Sequence, residues 1–142
     1  MTDVQQQTAT DASAARLNTL RGNCMGAAVV LIIEFALGIV VNLYVNVPTN
    51  KAFLPAVFSS VALAAHAIVA LLLLGAAISA VVRAIRLRRA IVVTSIGLVA
   101  ILVAAFAGSA FVGDATNSSS LTMALATAVA MFSYLAAVMS LR

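Results

Sequence analysis

The sequence predicts an all-α fold, a bundle of four transmembrane helices with both termini on the cytoplasmic side (N-in/C-in). Of the 142 residues, 64% are hydrophobic and only 8% are charged, whereas soluble domains carry about 25% charged residues. The apolar residues fall into four stretches, each close to the roughly 20 residues of helix that cross a bilayer. The arginines cluster at one end of these stretches, which gives the bundle its predicted orientation.

The amino-terminal residues differ from the rest of the chain. Residues 1–22 are rich in Gln, Thr and Ser and have little to bury, so we predict a flexible or interfacial cytoplasmic segment there. Residues 23–142 form the predicted four-helix transmembrane domain, and its first span covers about 24–46. That span is too long for the apolar part of a signal peptide, and no cleavage-site pattern follows it, so we expect the chain to retain it.

The second predicted span covers about 56–82. Pro48 stops the helix before it, and Pro55 suits the first turn of the helix that follows. At its far end the span runs into four basic residues, which we call the arginine cluster: Arg83, Arg86, Arg88 and Arg89.

The third and fourth predicted spans cover about 90–112 and 121–141. Gly113 ends the third span, and the polar stretch after it forms a turn. Ser119 or Ser120 is the predicted N-cap of the fourth helix.

The basic residues are distributed unevenly between the two sides of this topology. Arg16, Arg21, the arginine cluster and Arg142 fall on one side, and the opposite loops hold Lys51 alone. Cytoplasmic loops carry the excess of Lys and Arg, so both termini are predicted to lie in the cytoplasm. The net charge of +4 is therefore interpreted as a topology signal and as a means of contacting lipid headgroups, and nucleic acid is not a predicted partner.

Three polar residues within the first two apolar spans are the candidates for a site. Glu34 lies ten residues past Cys24, about 15 Å along a helix. His66 lies ten residues past Ala56 and enters from the other side, so its depth is similar or slightly closer to the outer face. Asn42 follows Glu34 by eight residues, a rotation of about 80°. Charged residues are costly inside a membrane and are candidates for function, so we predict an intramembrane polar site formed by Glu34, His66 and Asn42.

Small and polar residues are predicted to surround this site. Gly38 would let the second helix approach the first, and the Glu34 carboxyl would either take up a proton or pair with a protonated His66. Hydroxyl groups on the later helices are candidates to complete a network: Ser95, Ser109, Thr127 and Ser133.

Helix packing in lipid relies on small residues. Several pairs of small residues have the spacing of the G-x-x-x-G motif, among them Gly22 with Gly26 and Ala126 with Ala130. They indicate either a dimer interface or packing within one bundle, and we favour the latter. Tyr44 and Tyr134 are candidate anchors at the membrane interface.

Three interpretations of the polar site stay open. The pair can be a structural contact that fixes helix register, or Glu34 can serve a proton or small-ligand path. His66 can instead bind haem, but one histidine per chain gives one axial bond, so bis-histidine haem needs a homodimer. One His and one Glu fall short of a three-ligand zinc site, so no metal site is predicted. The sequence has no catalytic Ser/His/Asp set and no phosphate-binding glycine loop.

Several segments resemble a family of small four-helix membrane proteins common in actinobacteria. The run from Glu34 to Val45, EFALGIVVNLYV, resembles the first helix of that family. The helix with His66, the run Gly108–Phe111, and the two serines ahead of Met123 are similar to its later parts. The likeness spans about residues 24–140 and implies the topology but no activity.

This chain departs from that family at one position. Ala107 stands where the family often has Asn before the third-helix glycine, which removes one polar group from any shared site. More loosely, an early acidic helix followed by a single-histidine helix is similar to one half of a haem A synthase. The paired histidines of that enzyme are missing here, so its chemistry is not carried over.

These observations together favour a small non-enzymatic protein of a bacterial plasma membrane, acting as an accessory or interaction subunit. Its predicted partners are the lipid bilayer and either a second copy or a larger membrane complex, and no cofactor is expected. The alternatives are a dimeric haem-binding redox protein that uses His66 and a transporter or proton-path subunit that uses Glu34.

Overall fold

The computed structural model describes residues 2–48 and 52–141, and within them every regular element is a helix. The helices are α1 (Thr2–Tyr44), α2 (Phe53–Val57), α3 (Val61–Leu87), α4 (Ile91–Asp114) and α5 (Asn117–Ser140). All but the short α2 are long and apolar enough to cross a membrane. The predicted all-helical fold with four span-like helices is confirmed. Lys51 and Arg142, both used in the charge argument, lie outside the described residues.

The four long helices pack in a ring. α1 lies against α3 and α5, and α4 lies against the same two helices. Their shared core consists largely of alanines with a few larger side chains such as Leu31 and Tyr134, because small residues allow helix backbones to approach closely. The outside of the ring is apolar as well: Leu71, Val92 and Phe132 are each at least 68% exposed. Apolar surface on this scale requires lipid or a protein partner to cover it.

Helix α1 is longer than any membrane requires. Its apolar candidate span, Gln5–Tyr44, has 40 residues and is about 60 Å long, twice the hydrocarbon thickness of a bilayer. Contact with the bundle core begins at Leu20, and the described side chains before it are exposed or half-buried. The described part of segment 1–22 is thus helix continuous with the first span. Its flexible or interfacial character stays a prediction.

The second predicted span is divided in two. Ser60 separates α2 from α3, and its hydroxyl caps α3 by accepting a hydrogen bond from the backbone N–H of Leu63 at 3.1 Å. Helix α3 therefore begins at Val61, five residues after the predicted start. It continues to Leu87, through the first half of the arginine cluster.

The loop between α4 and α5 also differs from its prediction. Thr116, and not Ser119 or Ser120, is the N-cap of α5, and its hydroxyl accepts a hydrogen bond from the Ser119 N–H. The Asp114 carboxylate accepts a bond from the Thr116 N–H at 3.1 Å. This tight turn lets α5 begin at Asn117, four residues before the predicted span.

Two packing predictions were wrong. Tyr134 is not an interface anchor: its side chain is fully buried, and a Cβ at Gly97 would lie 2.8 Å from the ring atom Cε2. Gly97 thus makes room for the Tyr134 ring between α4 and α5. Gly22 and Gly26 do not pack inside the bundle, because a Cβ at either position would meet nothing within 4 Å.

Candidate functional site

The central polar feature of the bundle is a contact between α1 and α3. The His66 Nδ1 lies 3.0 Å from the Glu34 Oε1, and the two side chains are 16% and 8% exposed. The distance is that of an ion pair, but Nδ1 makes no well-aligned hydrogen bond to that oxygen. The contact is an ion pair when the imidazole is protonated, and opposite charges this close in an apolar core attract each other strongly.

Gly38 shapes the approach of the imidazole. It lies one turn after Glu34 on α1, and a Cβ there would be 3.4 Å from the His66 Cε1. The ring therefore packs against the backbone of α1 at Gly38. The methyl of an alanine there would touch the ring at about van der Waals distance.

The pair does not lie at the centre of the bundle. His66 is five residues from the start of α3 at Val61, which is only about 8 Å along the helix. The predicted mid-membrane depth counted from Ala56, which belongs to the separate helix α2. The polar pair is therefore nearer to the end of the bundle opposite the arginine cluster.

Asn42 is not brought to the other two residues. Its side chain is exposed, and its Oδ1 accepts a hydrogen bond from the Ser120 hydroxyl on α5 at 3.1 Å. The reason is rotational, because eight residues turn a helix by about 80° beyond two full turns. That rotation moves Asn42 from the α3 side of α1 to the α5 side.

Three of the four hydroxyl groups expected to complete the network bond to their own helices instead. Ser109 donates to the Phe106 carbonyl, Thr127 to Met123 and Ser133 to Val129, all at 2.8 Å. Such bonds to the preceding turn satisfy Ser and Thr inside an apolar helix. Consequently, Oε2 of Glu34 is buried without a hydrogen-bond partner among the described residues.

The chemistry open to this site follows from its two titratable groups. A carboxyl and an imidazole in contact can share one proton or carry opposite charges. The unsatisfied Oε2 is an additional acceptor, or a donor when the carboxyl is protonated. In the part of the chain that the structure describes, no three His, Cys, Asp or Glu side chains come together as metal ligands.

A second polar region is the arginine cluster. Its members lie at the end of α3 and in the turn to α4, and all four side chains are exposed. Within residues 2–48 and 52–141, none of them forms an ion pair with an acidic group. Arg88 and Ala90 adopt left-handed backbone conformations, with φ of 52° and 55°, which reverse the chain direction within three residues.

Sequence reasoning did not find two side-chain contacts between helices of the bundle. The Asn42–Ser120 hydrogen bond joins residues 78 positions apart, and only the shared depth of the end of α1 and the start of α5 pointed to it. Tyr134 is buried against Gly97, and the sequence contains no distinct signal for it, because α4 contains three glycines and several alanines.

The fold and site define a small helical bundle with span-like helices and one acid–imidazole contact between two of them. No protein-family model, no curated protein and no solved structure matches the chain.

Proposed function

We propose that this chain is a small, non-enzymatic integral membrane protein, an accessory or interaction subunit, whose Glu34–His66 pair fixes α1 against α3. The observation that carries the proposal is the 3.0 Å contact between the two side chains. Such a pair specifies one register between two helices that apolar packing alone would leave free to slide.

The outer surface supports the interaction role. Large apolar side chains cover the outside of all four long helices, including Ile32 on α1, Leu72 on α3 and Leu125 on α5, each more than half exposed. Two open depressions lie on the outside of the described helices α4 and α5, and neither is lined by Glu34 or His66. A site for a small substrate usually buries most of its ligand in an enclosed pocket.

The orientation we propose is N-in/C-in in a plasma membrane of bacterial type. The arginine cluster, Arg16 and Arg21 would lie on the cytoplasmic side, where basic residues are enriched. The Glu34–His66 pair then lies closer to the outer leaflet.

The experiment that tests this function is a proton-flux assay on the purified chain in lipid vesicles containing a pH-sensitive dye. We expect flux equal to that of protein-free vesicles, for the wild type and for Glu34→Gln alike. A proton conductance that Glu34→Gln abolishes would contradict the proposal and favour a proton path through the pair.

Haem binding is the second candidate, and one observation favours it. Glu34 engages Nδ1 of His66, which leaves Nε2 as the remaining ring nitrogen for an axial bond. One bond per chain requires two copies for bis-histidine ligation. The visible spectrum of the purified protein tests this: we expect no Soret band, and a Soret band lost on His66→Ala would establish the haem alternative.

A further inference from the structure

A long apolar groove runs along the outside of α4 and α5. Its volume is about 630 Å³, and it is open along one side. Its lining includes Ile91, Val92, Val99 and Val103 of α4, with Ala126 and Val129 of α5. No described side chain fills it, so in a bilayer this surface contacts something other than the bundle itself.

The groove begins at the arginine cluster. Arg89 is two residues before Ile91, so their Cα atoms are at most about 7.6 Å apart. Arg88 and Arg89 are exposed and form no ion pair with the acids that the structure describes. Ala90 supplies no side-chain cap to α4, so the first N–H groups of that helix, which follow directly after the arginines, lack such a partner. A negative charge placed here would find arginines and a helix N-terminus together.

The length of the groove matches one lipid chain. Val103 is twelve positions after Ile91, a rise of about 18 Å along the helix. One leaflet of the hydrocarbon core is about 15 Å thick. An acyl chain whose headgroup stands at the arginines would therefore run the full length of the groove.

We infer that the groove and the pair Arg88–Arg89 bind one anionic phospholipid, with its phosphate at the arginines and an acyl chain along α4 and α5. The inference rests on the proposed membrane location and adds a specific ligand to it. Electrostatic attraction selects the anionic headgroup, and the groove selects a lipid over a free anion.

The other end of the same helix pair offers a contrast. A smaller depression of about 360 Å³ begins at Val103 and is lined in part by Ser118, Ser119 and Thr122. None of the described arginines lies at that end of the bundle. It lacks the positive charge that the first groove has at its mouth, so we assign no anionic lipid to it.

The test compares two lipids with identical acyl chains, phosphatidylglycerol and phosphatidylcholine, added to the full chain in mild detergent. Bound lipid is counted by native mass spectrometry, and thermal unfolding reports stabilisation. We expect phosphatidylglycerol to bind more tightly. Replacing both arginines, Arg88→Gln with Arg89→Gln, should weaken its apparent affinity about tenfold and leave phosphatidylcholine binding unchanged.

Three further variants distinguish the contribution of the arginine charges from that of the groove. Arg16→Gln removes an exposed charge of α1 outside the groove, and we expect it to keep wild-type lipid binding. Val99→Phe fills the groove at a position that is 58% exposed, so the core is not disturbed. It should weaken binding of phosphatidylglycerol, while Ile68→Phe, at an exposed position on α3, should not.

Several results would overturn the inference. Equal binding of the two lipids, equal losses in Arg16→Gln and the double variant, or no effect of Val99→Phe would each do so. Stabilisation by inorganic phosphate alone, to the same extent as by lipid, would indicate a free-anion site instead. Flotation with phosphatidylcholine vesicles keeps the two proposals apart: a chain that floats but shows no lipid preference refutes only the lipid site, whereas a chain that does not float refutes both.

Discussion

The Glu34–His66 contact joins two polar side chains within an apolar helix bundle. Each group is costly to bury alone, and the contact at 3.0 Å offsets part of that cost. The unsatisfied Oε2 of Glu34 shows that the compensation is incomplete. Replacing one of the two side chains should therefore lower the free energy of unfolding more than replacing both.

Mutations of the pair test this coupling. His66→Leu should lower the free energy of unfolding by about 1–3 kcal/mol, because it leaves the Glu34 carboxyl buried without a partner. The double variant Glu34→Leu/His66→Leu should return to within about 1 kcal/mol of the wild type, since an apolar pair needs no compensation. Denaturation of the purified protein in mixed micelles measures both values.

Asn42→Leu serves as the control for that series. Its only described side-chain bond is to Ser120 and is exposed, so its loss should cost about 0.6 kcal/mol or less. If the double variant is as unstable as the sum of its single variants, the two side chains are not coupled, and their closeness has no energetic meaning.

The structure also predicts the effect on stability of replacing Gly97. Gly97→Ala should destabilise the protein by about 1–3 kcal/mol, because the new methyl would lie 2.8 Å from a ring that is fully buried. Gly113→Ala, where a Cβ meets nothing within 4 Å, should be neutral or slightly stabilising. Thermal unfolding in detergent compares them, and equal midpoints would show that the Tyr134 ring moves away freely.

At the scale of the helices, the most informative feature of the sequence was the length of its apolar stretches. Four stretches near the thickness of a bilayer predicted four span-like helices, because hydrocarbon permits little else. The break at Ser60 and the cap at Thr116 were not predicted. Caps depend on single hydroxyl groups in Ser- and Thr-rich runs, where several positions satisfy the same pattern.

The candidate site was harder to predict than the helices. Depth along a helix follows from counting residues, and it brought Glu34 and His66 to compatible levels. The position of a residue around the helix axis determines which neighbouring helix its side chain contacts. Composition does not reveal how each helix is rotated within the bundle. Asn42 shows the consequence, since it lies about 12 Å along α1 from Glu34 and its side chain bonds to Ser120 of α5.

The start of α3 carries a prediction of its own. Ser60→Ala should lower the free energy of unfolding by about 0.5–2 kcal/mol, because the Leu63 N–H loses its acceptor. Ser59→Ala, at the exposed neighbouring position, should have little effect. Chemical denaturation in micelles makes the comparison, and equal stability of the two variants would argue against the cap.

At the scale of the molecule, the ring of four helices buries small residues inside and presents large apolar ones outside. This distribution is the reverse of a soluble protein and suits lipid. The charge distribution makes the two ends of the bundle different, since the described arginines are confined to the end that carries Leu20 and Leu87.

The proposed orientation predicts a labelling pattern. In a Cys24→Ala background, Ala14→Cys lies on the exposed part of α1, and Ser118→Cys lies at the exposed start of α5. In intact cells, an impermeant maleimide should label only the cysteine at position 118, because position 14 would be cytoplasmic. Labelling of position 14 alone would reverse the topology.

One measurement tests the central claim most directly. Glu34 is the only glutamate and His66 the only histidine of the chain, so ¹³C-glutamate and ¹⁵N-histidine label one pair uniquely. Solid-state NMR of the labelled protein in lipid vesicles should show a detectable dipolar coupling between the Glu34 carboxyl carbon and the His66 Nδ1, because the carboxyl oxygen lies 3.0 Å from that nitrogen. No detectable coupling in a folded, membrane-inserted sample would contradict the account.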